Sequence, residues 1–151
     1  MLKSFVLAGS LFLASIPILA TPATGADFSG EVRIVDGDTL EIGGRRLRLY
    51  GIIAPVLDNR CAVAGKTIAC GRVSRSALLD LTAGAKVSCD LVKGGTTDEP
   101  PAICRAGGYD LSEGMTYTGW ARADTETTDA YRRFERDARR HHRGLWRKAV
   151  E

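Results

Sequence analysis

The sequence predicts a mainly β domain with α-helices packed on it: a small closed sheet of five strands capped by about three helices. Three observations lead there. Short runs of alternating apolar and polar residues recur between Phe28 and Arg105. Turn signals divide them, notably Asp36-Gly37-Asp38-Thr39 and Gly43-Gly44. Apolar residues at helical spacing then appear between and after the strands.

In order, Phe28 to Val35 reads as the first strand, Thr39 to Ile42 as the second and Arg46 to Ile52 as the third. Gly43-Gly44 joins the last two, because both central residues of a tight type I′ turn need positive φ. Alternation through Arg46-Leu47-Arg48-Leu49-Tyr50 sends the leucines to a core and Arg48 to the other side. Ala54-Pro55 ends this strand, since proline cannot donate to a ladder. Leu57 to Cys70 has no clean period and reads as a loop. A helix follows from Arg72, on Val73, Ala77, Leu78 and Leu81, with Gly84 as its C′ residue. Lys86 to Val92 and Pro101 to Arg105 form a second antiparallel pair around a long polar connector. Asp110 to Thr118 is a short helix, with Asp110 as N-cap and Glu113 closing a capping box. The last helix runs from about Asp129 to His142, with Tyr131, Phe134 and Ala138 inward, and Gly144 stops it. These elements describe an OB-type barrel.

A leader precedes the domain. Residues 1–26 carry one early lysine, an apolar run from Phe5 to about Leu13, then small residues. That is the pattern of a secretory signal peptide, cleaved after Ala26 or else after Ala20 or Ala23. Gly9, Ser10, Ser15 and Pro17 interrupt the run, which falls short of the ~20 apolar residues of a membrane span. The expected organisation is a signal peptide over 1–26 and one domain over 27–151, secreted or periplasmic, monomeric, and free of the membrane once cleaved. Four cysteines in such a chain predict two disulfides, with three connectivities open. Pairing Cys61 with Cys70 and Cys89 with Cys104 needs no chain crossing and is favoured. No Cys-x-x-Cys spacing supports a zinc site.

The chain holds 21 lysines and arginines against 18 acids, a formal charge of +3. That is a weaker bias than nucleic-acid binders normally show. It gathers in the last helix, where Arg132, Arg136, Arg139, Arg140 and Arg143 leave little room for anything else.

Asp-Gly-Asp-Thr at 36–39, followed by Arg-Leu-Arg-Leu-Tyr-Gly-Ile-Ile-Ala-Pro at 46–55, resembles the staphylococcal nuclease (thermonuclease) family. Gly-Trp-Ala-Arg-Ala at 119–123 and the run from Glu135 to Trp146 resemble its later motifs. The resemblance spans nearly the whole chain after the leader and implies the OB-type barrel. It also implies a Ca²⁺ held by two aspartates, a glutamate acting on water and two arginines on the phosphate. Asp38 matches the first aspartate and Arg48 the first arginine.

The other positions depart from the pattern. Ile53 stands where the second metal carboxylate belongs, Val56 where the water-directing glutamate belongs, and Glu99 where the second arginine belongs. Calcium takes six to eight oxygens, and an aliphatic side chain supplies none. Losing a general base costs about 10²–10⁴ in rate. Losing one charge-stabilising donor costs roughly 10²–10³, although such losses do not simply multiply. Asp58, two residues beyond Val56, is the candidate substitute carboxylate, and Asp36 reads as a turn residue bonding its own backbone.

The expected protein is therefore a catalytically degenerate member of that family. It would act as a binding module through the groove around Arg48 or through the basic helix, on nucleic acid, an acidic protein or a glycan. It would need no cofactor, with Ca²⁺ required only if active. The alternative is a working secreted nuclease with a rebuilt site on Asp38, Arg48 and Asp58; a structural subunit of a cell-envelope assembly is a third. Glu135 reads as a paired structural carboxylate, His141-His142 as a solvated helix end, Trp120 and Trp146 as core, and Tyr50 and Tyr117 as structural rather than base-stacking.

Overall fold

The computed structural model describes residues 27–92 and 98–148. The expected leader and the middle of the polar connector lie outside the described residues. The described part begins with two short strands, β1 (Phe28–Gly30) and β2 (Val32–Ile34), and continues with β3 (Thr39–Ile42) and β4 (Arg45–Leu49). Gly43 and Gly44 have φ of 58° and 77°, and Ile42 pairs with Arg45 across them, which is the two-residue hairpin expected. Leu47 and Leu49 are buried while Arg46 and Arg48 face outward, as the alternation requires.

The third strand is shorter than predicted. It ends at Leu49, and the chain turns at Gly51 before β5 (Ile52–Ile53), which joins a different sheet. Nor is the segment after it a plain loop. β6 (Cys61–Val63) and β7 (Lys66–Ile68) form a small hairpin turned by Ala64 and Gly65, both at positive φ. Six residues in two three-residue strands are too few to display a period. The first helix, α1 (Cys70–Thr82), starts two residues early and ends where expected, with Gly84 at φ 69° just beyond it.

β8 (Val87–Leu91) and β9 (Pro101–Ala106) pair antiparallel and place Cys89 directly opposite Cys104. β10 (Tyr109–Asp110) leads into α2 (Leu111–Tyr117), whose first turn is capped by Asp110 accepting the N–H groups of Ser112 and Glu113. The return bond from Glu113 that a capping box requires is not made among the described residues. β11 (Arg122–Ala123) then pairs with β5, setting Arg122 opposite Ile53. The last helix, α3 (Arg132–Arg140), is shorter than its apolar pattern, because 129–131 form a turn that leads into it. A 3-10 turn, Gly144–Trp146, closes the described chain.

Among the described residues the architecture is mixed α/β: three α-helices, a seven-stranded sheet and two two-stranded sheets. The large sheet runs β1-β8-β9-β4-β3-β2, with β10 on β9 and β4 parallel to β9. Its hydrogen bonding is not closed into the expected five-stranded barrel. The predicted first strand divides at Glu31, so that β1 and β2 lie at opposite ends of the sheet. Leu40, Leu47, Leu49 and Val87 of the sheet bury against Leu78 of α1 and Leu111 and Met115 of α2.

Both favoured disulfides are present, Cys61–Cys70 and Cys89–Cys104. The first staples the small hairpin to the start of α1, and the second crosses β8 and β9 in the core. Gly119 and Gly144 bring two chain segments together, and Leu145 donates its N–H to the Gly119 carbonyl at 2.9 Å. A Cβ on Gly144 would stand 2.3 Å from that same oxygen, and φ there is 53°. No helix of the described residues is long and apolar enough to cross a membrane.

Candidate functional site

Asp38 lies in the turn between β2 and β3 and is only 2% exposed. The Asp36 side chain accepts the Asp38 N–H at 3.0 Å, the local turn bond that Asp36 was expected to make. Both oxygens of Asp38 are engaged. Oδ2 accepts the backbone N–H of Ala54 at 2.8 Å, and Oδ1 accepts the Thr39 hydroxyl at 3.0 Å. The Arg48 Nε stands 3.6 Å from Oδ1, and its guanidinium is half exposed. Burial is the main influence on the Asp38 carboxyl and raises its pKa, against the lowering effects of the Ala54 N–H and Arg48.

Arg48 pairs across the hairpin with Thr39 and looks into two clefts. One, about 390 Å³, runs along Tyr50, Ile53, Asp124 and Thr127. The other, about 1120 Å³, is an open trough in which Arg45, Arg46 and Arg48 face Glu41, Asp98 and Glu99. Glu99 thus shares a cleft with Arg48, but its ion pair is with Arg46, at 3.3 Å.

Ile53 is 45% exposed, more than an isoleucine gains by facing water, and it borders three clefts. On one side is the Arg48 cleft. On a second is an apolar cleft of about 450 Å³ that it shares with Val56, Val63, Leu145 and Trp146. On the third is a charged groove of about 710 Å³ between β11 and α3. The expected site residues therefore do not share one groove: Arg48 and Val56 each share a cleft with Ile53, whereas Glu99 opens onto the trough, which Ile53 does not line. Asp58 sits exposed in the turn after Val56, lines none of these clefts, and makes no hydrogen bond or ion pair with Arg48 or Asp38 among the described residues.

This donor set does not fit calcium. Each oxygen of the buried Asp38 already accepts one hydrogen bond, Ile53 supplies no oxygen, and the described residues hold no group of three acidic, histidine or cysteine side chains placed for a metal.

The basic helix is largely neutralised. Arg132 pairs with Asp129 at 2.9 Å, Arg140 and Arg143 with Asp137 at 3.3 and 2.7 Å, and Arg139 donates to Glu135. Those bonds from Arg143 hold the Asp137 carboxyl below its ordinary range. Glu135 also accepts the Ala123 N–H at 2.8 Å, so it is the structural carboxylate expected. Of the five arginines singled out on this helix, Arg136 alone has no ion pair among the described residues.

The aromatic residues are similarly occupied. Trp120 is buried, but Trp146 is half-buried at the apolar cleft, not core, with the Arg139 guanidinium 3.8 Å from its ring centre. Tyr117 lies under Arg143, and Tyr50 donates to the Thr127 carbonyl at 3.4 Å. Sequence reasoning missed Arg122. Its partner Ile53 was singled out, but a two-residue strand carries no pattern that would have paired them.

No family model matches the chain. The chain is similar to the succinoglycan biosynthesis protein ExoI of Rhizobium meliloti (strain 1021), with 31% identity over 130 residues. The match takes in 81% of this chain and 66% of that protein, just under two thirds of its length.

Proposed function

We propose that this is an exported barrel of the staphylococcal nuclease type that has lost calcium-dependent phosphodiester chemistry and serves as a binding module, through the groove around Arg48 or through the basic helix. One observation carries the reading: both oxygens of Asp38 are committed to Ala54 and Thr39, and the neighbouring ligand position is Ile53. One buried carboxylate beside an aliphatic side chain falls far short of the six to eight oxygens that calcium takes. β1 and β2 follow one another with Glu31 alone between them, so residues 28–34 read as one bent strand that would close an OB-type barrel. Two disulfides suit a secreted or periplasmic protein. The relative's part in succinoglycan biosynthesis favours a setting in which glycans, not nucleic acids, are at hand.

The test is to incubate protein lacking residues 1–26 with single-stranded DNA and with RNA, in Ca²⁺ and then in chelator. The expected result is no cleavage above the blank in either. Chelator-sensitive turnover that disappears in Arg48→Gln, whose side chain is half exposed, would overturn it.

A further inference from the structure

We propose that the groove between β11 and α3 binds a carboxylated glycan, a ligand assignment that rests on the binding-module reading above. The groove is strongly charged, but most of its charge is already spent. Arg132 is held by Asp129, and Arg139 by Glu135. Glu135 is saturated by Arg139 and the Ala123 N–H. Asp124 accepts the Glu126 N–H and the Thr127 hydroxyl. Four polar side chains that line the groove are left without a bond among the described residues: Arg122, Arg136, Thr125 and Glu126.

That remainder has a definite chemistry. Two guanidinium groups are suited to carboxylates, which they hold through paired N–H donors. A carboxylate and a hydroxyl are suited to ligand hydroxyls, which donate as well as accept. A DNA backbone offers phosphate acceptors but no hydroxyls along its length for Glu126 and Thr125 to engage. Nucleic-acid grooves also present aromatic faces for stacking. None lines this groove, and the nearby Trp146 ring is covered by Arg139. Ile53 supplies an apolar ridge, directly opposite Arg122 across the β5–β11 pair, against which the C–H face of a sugar ring can rest.

The probe is polygalacturonate, titrated calorimetrically against protein lacking residues 1–26, with dextran as the uncharged glycan and single-stranded DNA as the rival polyanion. Polygalacturonate should bind and weaken with added salt, while dextran should not bind. Arg122→Gln and Arg136→Gln, both exposed, should each weaken it about tenfold, the worth of one charge-assisted hydrogen bond. Glu126→Gln should strengthen single-stranded DNA more than polygalacturonate, because only the glycan loses a hydroxyl partner as the repulsion is removed. DNA binding tighter than polygalacturonate, or a double arginine variant with unchanged affinity, would overturn the proposal. So would a loss in Arg48→Gln alone, which would move the ligand to the Arg48 cleft and leave the binding-module reading standing. Metal-dependent DNA cleavage would sink that reading instead, and the titration would still decide the groove.

Discussion

Asp38 Oδ2 accepts the backbone N–H of Ala54 at 2.8 Å, tying the first hairpin to the segment that carries Ile53. The residue most suggestive of a metal ligand is therefore a backbone clamp, and its substitution should be read first in stability.

Asp38→Ala strands a buried N–H, which costs about 1–3 kcal/mol. Asp38→Asn should cost less, because its amide oxygen can keep the Ala54 bond. The pH dependence has a definite sign. Burial raises the folded-state pKa above the ordinary 3.8, so this group favours the fold most below 3.8 and less as pH rises through the raised value. Urea melts from pH 3 to 7 should show that slope in the difference between the native protein and Asp38→Asn.

Tyr131 donates to Asp110 Oδ2 at 3.1 Å, linking the start of α3 to the cap of α2. Burial first, and then the Asp110 charge, push its pKa from 10 to about 12. Its contribution is complete below pH 10 and is lost as pH rises towards 12. Tyr131→Phe should cost about 0.5–1.5 kcal/mol at neutral pH, the net worth of one hydrogen bond, and progressively less above pH 10. Thermal melts of both proteins at matched pH would check it.

The two disulfides should not be equivalent. Replacing Cys89 and Cys104 by alanine removes a bridge between fully buried residues, costing about 2–5 kcal/mol and loosening the whole domain. Replacing Cys61 and Cys70 frees the small hairpin from α1. Hydrogen exchange should then rise in residues 61–72 and change little in β8 and β9.

Gly144→Ala is expected to be among the most damaging single methyl additions. It meets the Gly119 carbonyl oxygen at 2.3 Å from a left-handed φ, and neither neighbour is a side chain that can swing away. A loss of about 2 kcal/mol or more follows from strain and overpacking together. Gly84→Ala, at a similar φ with open space around it, supplies the control.

Elements with repeated local signals were legible in advance. Thr39–Ile42, the Gly43-Gly44 turn and the buried faces of Leu47 and Leu49 follow from alternation alone, and the crossing-free cysteine pairing held. What escaped was short or tertiary. β5, β6, β7 and β11 are two or three residues long, below the length at which a period can be seen. The division at Glu31 depends on which neighbour each half of the strand finds. Ile53, Val56 and Glu99 could be matched to expected positions, but whether they faced one groove depended on packing. That Asp38 Oδ2 accepts the Ala54 N–H is a contact across 16 residues that no local pattern encodes.

The rivet between Cys89 and Cys104 has an engineering corollary. Just past it, the Val92 N–H reaches the Pro101 carbonyl at 2.9 Å, so the mouth of the connector is clamped shut by the strands themselves. Whatever is spliced between those two residues hangs from a fixed frame. A foreign epitope inserted there would be displayed without asking the scaffold to relearn its shape.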